Sequence, residues 1–108
     1  MIEIRRYLTP SGKDVFGAWL AKLEPRARAK VIARLDRLAL GNFGGCKFLH
    51  HGVFELRIDW GPDYRVYYGK AGNTTVLLLC GGDKRKQSSD IERAMEYLEE
   101  FEERAGRS

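Results

Sequence analysis

Cysteine is scarce in this chain. Cys46 and Cys80 are the only two, no Cys-x-x-Cys pair occurs, and no Cys/His spacing suits a zinc site. A disulfide framework is thereby excluded. Long apolar runs are missing as well: nothing approaches the ~20 consecutive residues that cross a bilayer. Met1-Ile2-Glu3-Ile4-Arg5-Arg6-Tyr7 has no apolar stretch of the kind a secretory leader needs, so cytoplasmic residence is the expectation. There is no internal repeat, low-complexity tract or linker. The 108 residues read as one domain spanning 1–108, large enough for a core without covalent staples.

Charge is abundant but unevenly placed. Residues 1–89 hold 16 Lys+Arg against 8 Asp+Glu, whereas residues 90–108 hold 3 against 7. The overall +4 is thus a body of +8 followed by a segment of −4. A basic body favours an anionic partner, although charge alone also serves solubility.

Periodicity divides the chain into α and β segments. Residues 2–7 alternate with period two and predict a first strand. Ser11 is placed to cap a helix over residues 12–23, with Val15, Phe16, Trp19, Leu20 and Leu23 on one face. Pro25 suits the first turn of a second helix ending near Gly41. Ala27, Val31, Leu35 and Leu38 form its inner face, and Arg26, Lys30, Arg34 and Arg37 a basic stripe. Four glycines in residues 41–52 predict an irregular loop. Strands over 53–59, 64–70 and 75–80, joined by Gly61-Pro62-Asp63 and Ala71-Gly72-Asn73, predict an antiparallel meander. Val76 to Leu79 is apolar throughout and predicts an interior strand. A last helix over 89–104, capped by Ser89, carries Ile91, Ala94, Met95, Leu98 and Phe101 on its docking side. The fold class expected is α+β.

Strand parity places Phe54, Leu56, Ile58 and Trp60 on one face with Val66 and Tyr68, facing the two helices. Glu55, Arg57, Arg65 and Tyr67 fall on the other face, which is expected to be open to a ligand. Lys84, Arg85 and Lys86 follow the last strand.

Gly41-Asn42-Phe43-Gly44, Lys47, Glu55-Leu56-Arg57-Ile58, Gly61-Pro62, Tyr64-Arg65-Val66-Tyr67 and Leu79-Cys80-Gly81-Gly82-Asp83-Lys84 occur in this order. Together they resemble the addiction module killer proteins, a HigB-like group of the RelE/ParE toxin superfamily. The resemblance extends from Tyr7 to about Leu98. It implies a RelE-like fold of a strand, two helices, an antiparallel sheet and a last helix. It also implies a bacterial type II toxin that cleaves mRNA in the ribosomal A site without a metal or other cofactor. The partners implied are a helix-turn-helix antitoxin, the ribosome and mRNA, with no membrane and no small molecule.

Carried over residue by residue, the strand arginine of the family matches Arg65, and the cation after the last strand matches Lys84. Two positions depart from the pattern. Glu55 stands where the RelE type has lysine, and no tyrosine stands near Asp90. Metal-free RNA cleavage needs a base for the 2′-hydroxyl, an acid for the leaving 5′-oxygen, and cations for the phosphate. Arg65 and Lys84, with Arg57, suit the cationic task. Glu55, Tyr67, His50 and His51 are candidates for proton transfer, and Lys47, Arg85, Lys86, Arg34 and Arg37 for RNA contact. Blander roles stand beside these: Arg57 can pair with Glu55 or Asp59 across strands, and residues 84–86 can be a solvated loop. Two rival functions also remain, a ParE-type gyrase poison without nuclease activity and a non-toxic interaction module.

Overall fold

The computed structural model describes residues 1–106. Its elements are β1 (Glu3–Arg6), α1 (Val15–Lys22), α2 (Pro25–Ala39), β2 (Cys46–His50), β3 (Val53–Ile58), β4 (Tyr64–Lys70), β5 (Thr75–Gly82), a 3-10 turn (Lys84–Lys86) and α3 (Gln87–Gly106). The strands form one mixed sheet in the order β1-β5-β4-β3-β2, with β1 parallel to β5 and the other pairs antiparallel. The α+β class and the three-stranded meander are as expected, and β5 is interior, between β1 and β4.

The sheet has one strand more than the sequence suggests. Residues 46–50 pair antiparallel with β3 along the edge. The glycines around this segment belong to its turns, not to a continuous loop. Gly45 has φ +80°, and His51 and Gly52 make the tight connection to β3 with φ +54° and +81°. A bulge between Phe48 and His50 adjusts the register just before that turn.

The helix boundaries also shift. Asp14, not Ser11, caps α1, its carboxylate accepting from the Gly17 amide at 2.9 Å. Pro25 is at the start of α2, and Gly41 follows its end with φ +93°, both as the sequence implies. Ser89 does not cap α3. That helix starts at Gln87, directly after a 3-10 turn whose cap is Asp83, and the Ser89 hydroxyl donates back to the Lys86 carbonyl.

Two apolar layers enclose the sheet. Phe16, Leu20, Val31 and Leu38 from α1 and α2 pack on Leu56, Ile58, Val66, Tyr68, Val76 and Leu78. On the opposite face Ala94 and Leu98 of α3 pack on Tyr7, Val53, Tyr67, Leu77 and Leu79. The expected docking stripe of α3 is therefore realised. It also covers part of the face that parity alone leaves open. No helix among the described residues is long and apolar enough to cross a membrane.

Candidate nucleic-acid interface

Two cross-strand rows lie on the α3 side of the sheet, toward the start of that helix. Lys47, Glu55, Tyr67 and Cys80 are register partners in one row, and Arg57, Arg65 and Gly82 in the next. β5 then leads directly into the Lys84–Lys86 turn. The fold thus gathers Arg57, Arg65, Glu55, Tyr67, Lys47 and the three cations of residues 84–86 into one region. Arg34 and Arg37 lie elsewhere, on α2. His50 and His51 stand in the β2–β3 hairpin, with their Nδ1 atoms 2.8 Å apart.

Arg65 is not the open side chain that parity suggests. It is 7% exposed, and its Nη1 donates to the Asp63 carbonyl at 2.8 Å. Its Nε lies 3.6 Å from Glu55 Oε2, close enough for an ion pair but too long for a hydrogen bond. Glu55 is 5% exposed and also accepts from Gln87 Nε2 at 3.0 Å. Burial makes this pair mutually dependent, because either charge left alone would be poorly solvated. Arg57 does not make the pair with Glu55 or Asp59 that the sequence offers; it pairs with Asp63 Oδ1 at 3.3 Å. Asp63, in a left-handed turn position with φ +59°, thus holds Arg65 by its carbonyl and Arg57 by its carboxylate.

Tyr67 is fully buried beneath α3. Burial, with the nearby Glu55 and Asp90 charges, pushes its phenol well above the usual value, so it stays neutral at physiological pH. As a neutral phenol it can donate a proton but cannot serve as a base. Its hydroxyl has no hydrogen-bond partner among the described residues. Asp90, 1% exposed, is the other buried polar group here: Oδ1 accepts from Arg93 at 2.5 Å, while Oδ2 has no such partner. Neither Asp90 nor Gln87 is among the site residues that the sequence points to. A signal for Asp90 does exist, since it precedes the buried Ala94 and Leu98 by one and two helical repeats of four.

The three cations after β5 are not equivalent. Arg85 folds back on Asp83, whose carboxylate accepts from its backbone amide and side chain at 2.9–3.3 Å. That hydrogen bonding holds Asp83 below the usual carboxylate range. Lys84 and Lys86 are exposed, and neither has an ion pair among the described residues. Arg34 stands apart from the rest of the basic stripe on α2. It is 8% exposed, and its guanidinium donates to the carbonyls of Asn42 and Gly44. Among the described residues no group of three or more His, Cys, Asp or Glu side chains is arranged to hold a metal.

An α+β domain with an arginine-bearing sheet face and cations at the end of its last strand is the class of protein that fold and site define. Residues 18–102 match the family described as "Phage derived protein Gp49-like (DUF891)". The chain belongs to this Gp49-like family, a RelE-like family of addiction-module killers. It is also 47% identical over 101 residues to an uncharacterized protein of Haemophilus influenzae, covering 93% of this chain and 96% of that one. The family kinship suggests the toxin of a toxin–antitoxin pair, with an antitoxin as partner.

Proposed function

We propose that this protein is a HigB-like, RelE-type toxin that cleaves mRNA on the ribosome and is neutralised by a helix-turn-helix antitoxin. The observation that carries the reading is the convergence of Arg57, Arg65 and the exposed Lys84 and Lys86 at one end of the sheet. These cations are suited to bind the scissile phosphate and to stabilise its added charge in the transition state. In the reaction proposed, a base removes the 2′-hydroxyl proton, the 2′-oxygen attacks phosphorus, and the 5′-oxygen leaves with a proton from an acid. The products are a 2′,3′-cyclic phosphate and a 5′-hydroxyl. Glu55, oriented by Gln87, is the buried carboxylate paired with Arg65, and Tyr67 is the neutral phenol at the neighbouring register position. Lys47 heads the same row and would contact the strand.

One observation favours a second reading. Glu55 pairs with Arg65, and this reduces the positive charge where the RelE type has added a lysine. An arginine neutralised in this way is less available to a phosphate, which leaves room for gyrase binding without cleavage.

Expression in a bacterial host, followed by primer extension on host mRNA, separates the two. Cleavage predicts rapid translation arrest and new 5′ ends. Lys84→Ala, an exposed substitution of small structural cost, should reduce cleavage by about 100-fold, as loss of one transition-state donor does. A DNA-damage response with intact mRNA would replace the nuclease reading with the gyrase reading.

A further inference from the structure

A second cationic region lies at the other side of Arg57. Lys30, Arg34 and Arg37 of α2, with Arg57 and Trp60, line a groove of about 310 Å³, with Asp59 as the lining carboxylate. Four lining cations face one lining carboxylate, and with Arg57 also paired to Asp63 the groove stays net positive. Arg34 makes this a built feature, unlike a spray of surface charge. The residue is 8% exposed, its partners are two backbone carbonyls, and it forms no ion pair among the described residues. Buried charges are ordinarily matched by opposite charge, so a fixed, unmatched guanidinium on a groove wall favours an anion. The two carbonyl bonds hold the guanidinium in place, so little side-chain entropy is lost when an anion arrives.

Arg57 belongs to both regions. It lines the groove, and it is the direct cross-strand neighbour of Arg65. We propose that the α2 groove binds the phosphodiester backbone of the same RNA strand that reaches Arg65 and Lys84, with Arg57 as the link between the two. This rests on the RNA-cleaving function proposed above and adds to it a minimum substrate. The ligand must be a polymer long enough to place phosphates in both regions, and a mononucleotide or very short RNA would fill only one. Trp60, stacked with Tyr64 at 6.5 Å between ring centroids, offers the groove an aromatic wall on which a base can lie.

The test is fluorescence anisotropy at low salt with single-stranded RNA of roughly three and roughly twelve nucleotides. Three proteins are compared: the natural chain, Lys30→Glu/Arg37→Glu, and the charge-matched control Lys13→Glu/Lys22→Glu, whose sites lie outside the groove. The longer RNA should bind the natural chain about 10-fold or more tightly than the shorter. The groove variant should lose most of that advantage, and the salt dependence of long-RNA binding should flatten by about one to two phosphate equivalents. The control should keep it. Unchanged long-RNA affinity in the groove variant, or an equal loss in the control, overturns the inference, as does no binding of either RNA to the natural chain. A polyglutamate peptide that binds the groove more tightly than RNA, and is lost with Lys30 and Arg37, would make it a site for an acidic protein segment. None of these failures touches the mRNA 5′ ends or the Lys84→Ala result, which judge the cleavage reading separately.

Discussion

Asp63 shows how much one turn residue decides. Its positive φ is a conformation that aspartate tolerates better than most residues, and it aims a carbonyl at Arg65 and a carboxylate at Arg57. Asp63→Gly keeps the backbone shape and the carbonyl but frees Arg57. Stability should change by less than about 1 kcal/mol, since the pair lost is half exposed. Any larger change in RNA affinity would then report Arg57 alone. Arg65 behaves differently. Arg65→Ala strands Glu55 in a buried position and should cost about 3 kcal/mol, whereas Glu55→Ala/Arg65→Ala together should cost less than the sum of the single changes. Urea titrations of the four proteins check this, and additive costs would show that the two side chains do not interact. Strand parity locates Arg65 and Glu55 on the correct face. It says nothing about their burial, because that depends on a helix 20 or more positions later in the sequence.

At the scale of elements, α3 is the cover of the second core. Its apolar stripe seals Tyr67, Leu77 and Leu79, and its far end is tied to the end of β1 by Tyr7 Oη donating to Glu100 at 2.5 Å and by Arg104 donating to the Leu8 carbonyl at 2.7 Å. Leu98→Ala should therefore destabilise by about 2–5 kcal/mol, measured by denaturant unfolding. Truncation after Asp90 should abolish the soluble folded state. A truncated chain that remained folded and bound RNA more strongly would instead make α3 a removable shield. Helix faces and the meander were legible because burial imposes periods of 3.6 and 2 on the sequence. β2 was not, for a physical reason. It is an edge strand of five residues, framed by Gly44, Gly45 and Gly52, so its turn chemistry outweighs its alternation. The helix caps were misread for a similar reason: Ser11 and Asp14, or Asp83 and Ser89, are all competent caps, and only the tertiary fold chooses between them.

For the whole molecule, two conditions probe the fold. Tyr67 and Tyr68 are buried and ionise well above their ordinary values, chiefly because burial disfavours the phenolate, and burial pushes the Cys80 thiol up to about 12. The folded state keeps these protons where the unfolded state releases them. Their contribution is intact below the ordinary values and is lost as pH rises past about 9 for the thiol and about 10 for the phenols, by about 1.4 kcal/mol per pH unit for each group. Urea midpoints that stay level from pH 8 to about pH 11 would contradict it. Salt is the second condition. Under the proposed function, a body of +8 should dissociate from ribosomal RNA steeply as salt rises, and charge reversal at Lys84 and Lys86 should flatten that dependence. Binding indifferent to salt would exclude an RNA-dominated contact. The charge segregation was legible from the sequence alone. That the acidic segment docks on the face opposite α1 and α2 was not, since composition carries no directions.

The pairing of β1 with β5 also bears on the order in which the protein is made. β1 is the first strand to be synthesised, yet its sheet partner is the last, and Tyr7 reaches its hydrogen-bond acceptor 93 residues later. Every segment between must therefore be synthesised before β1 can pair with β5 and α3 can close over the sheet. A nascent chain that has emerged only through β4 lacks Lys84, Lys86 and Gln87, and its Arg65 and Glu55 have no cover. The topology thus delays assembly of the cationic face until synthesis of the chain is nearly finished.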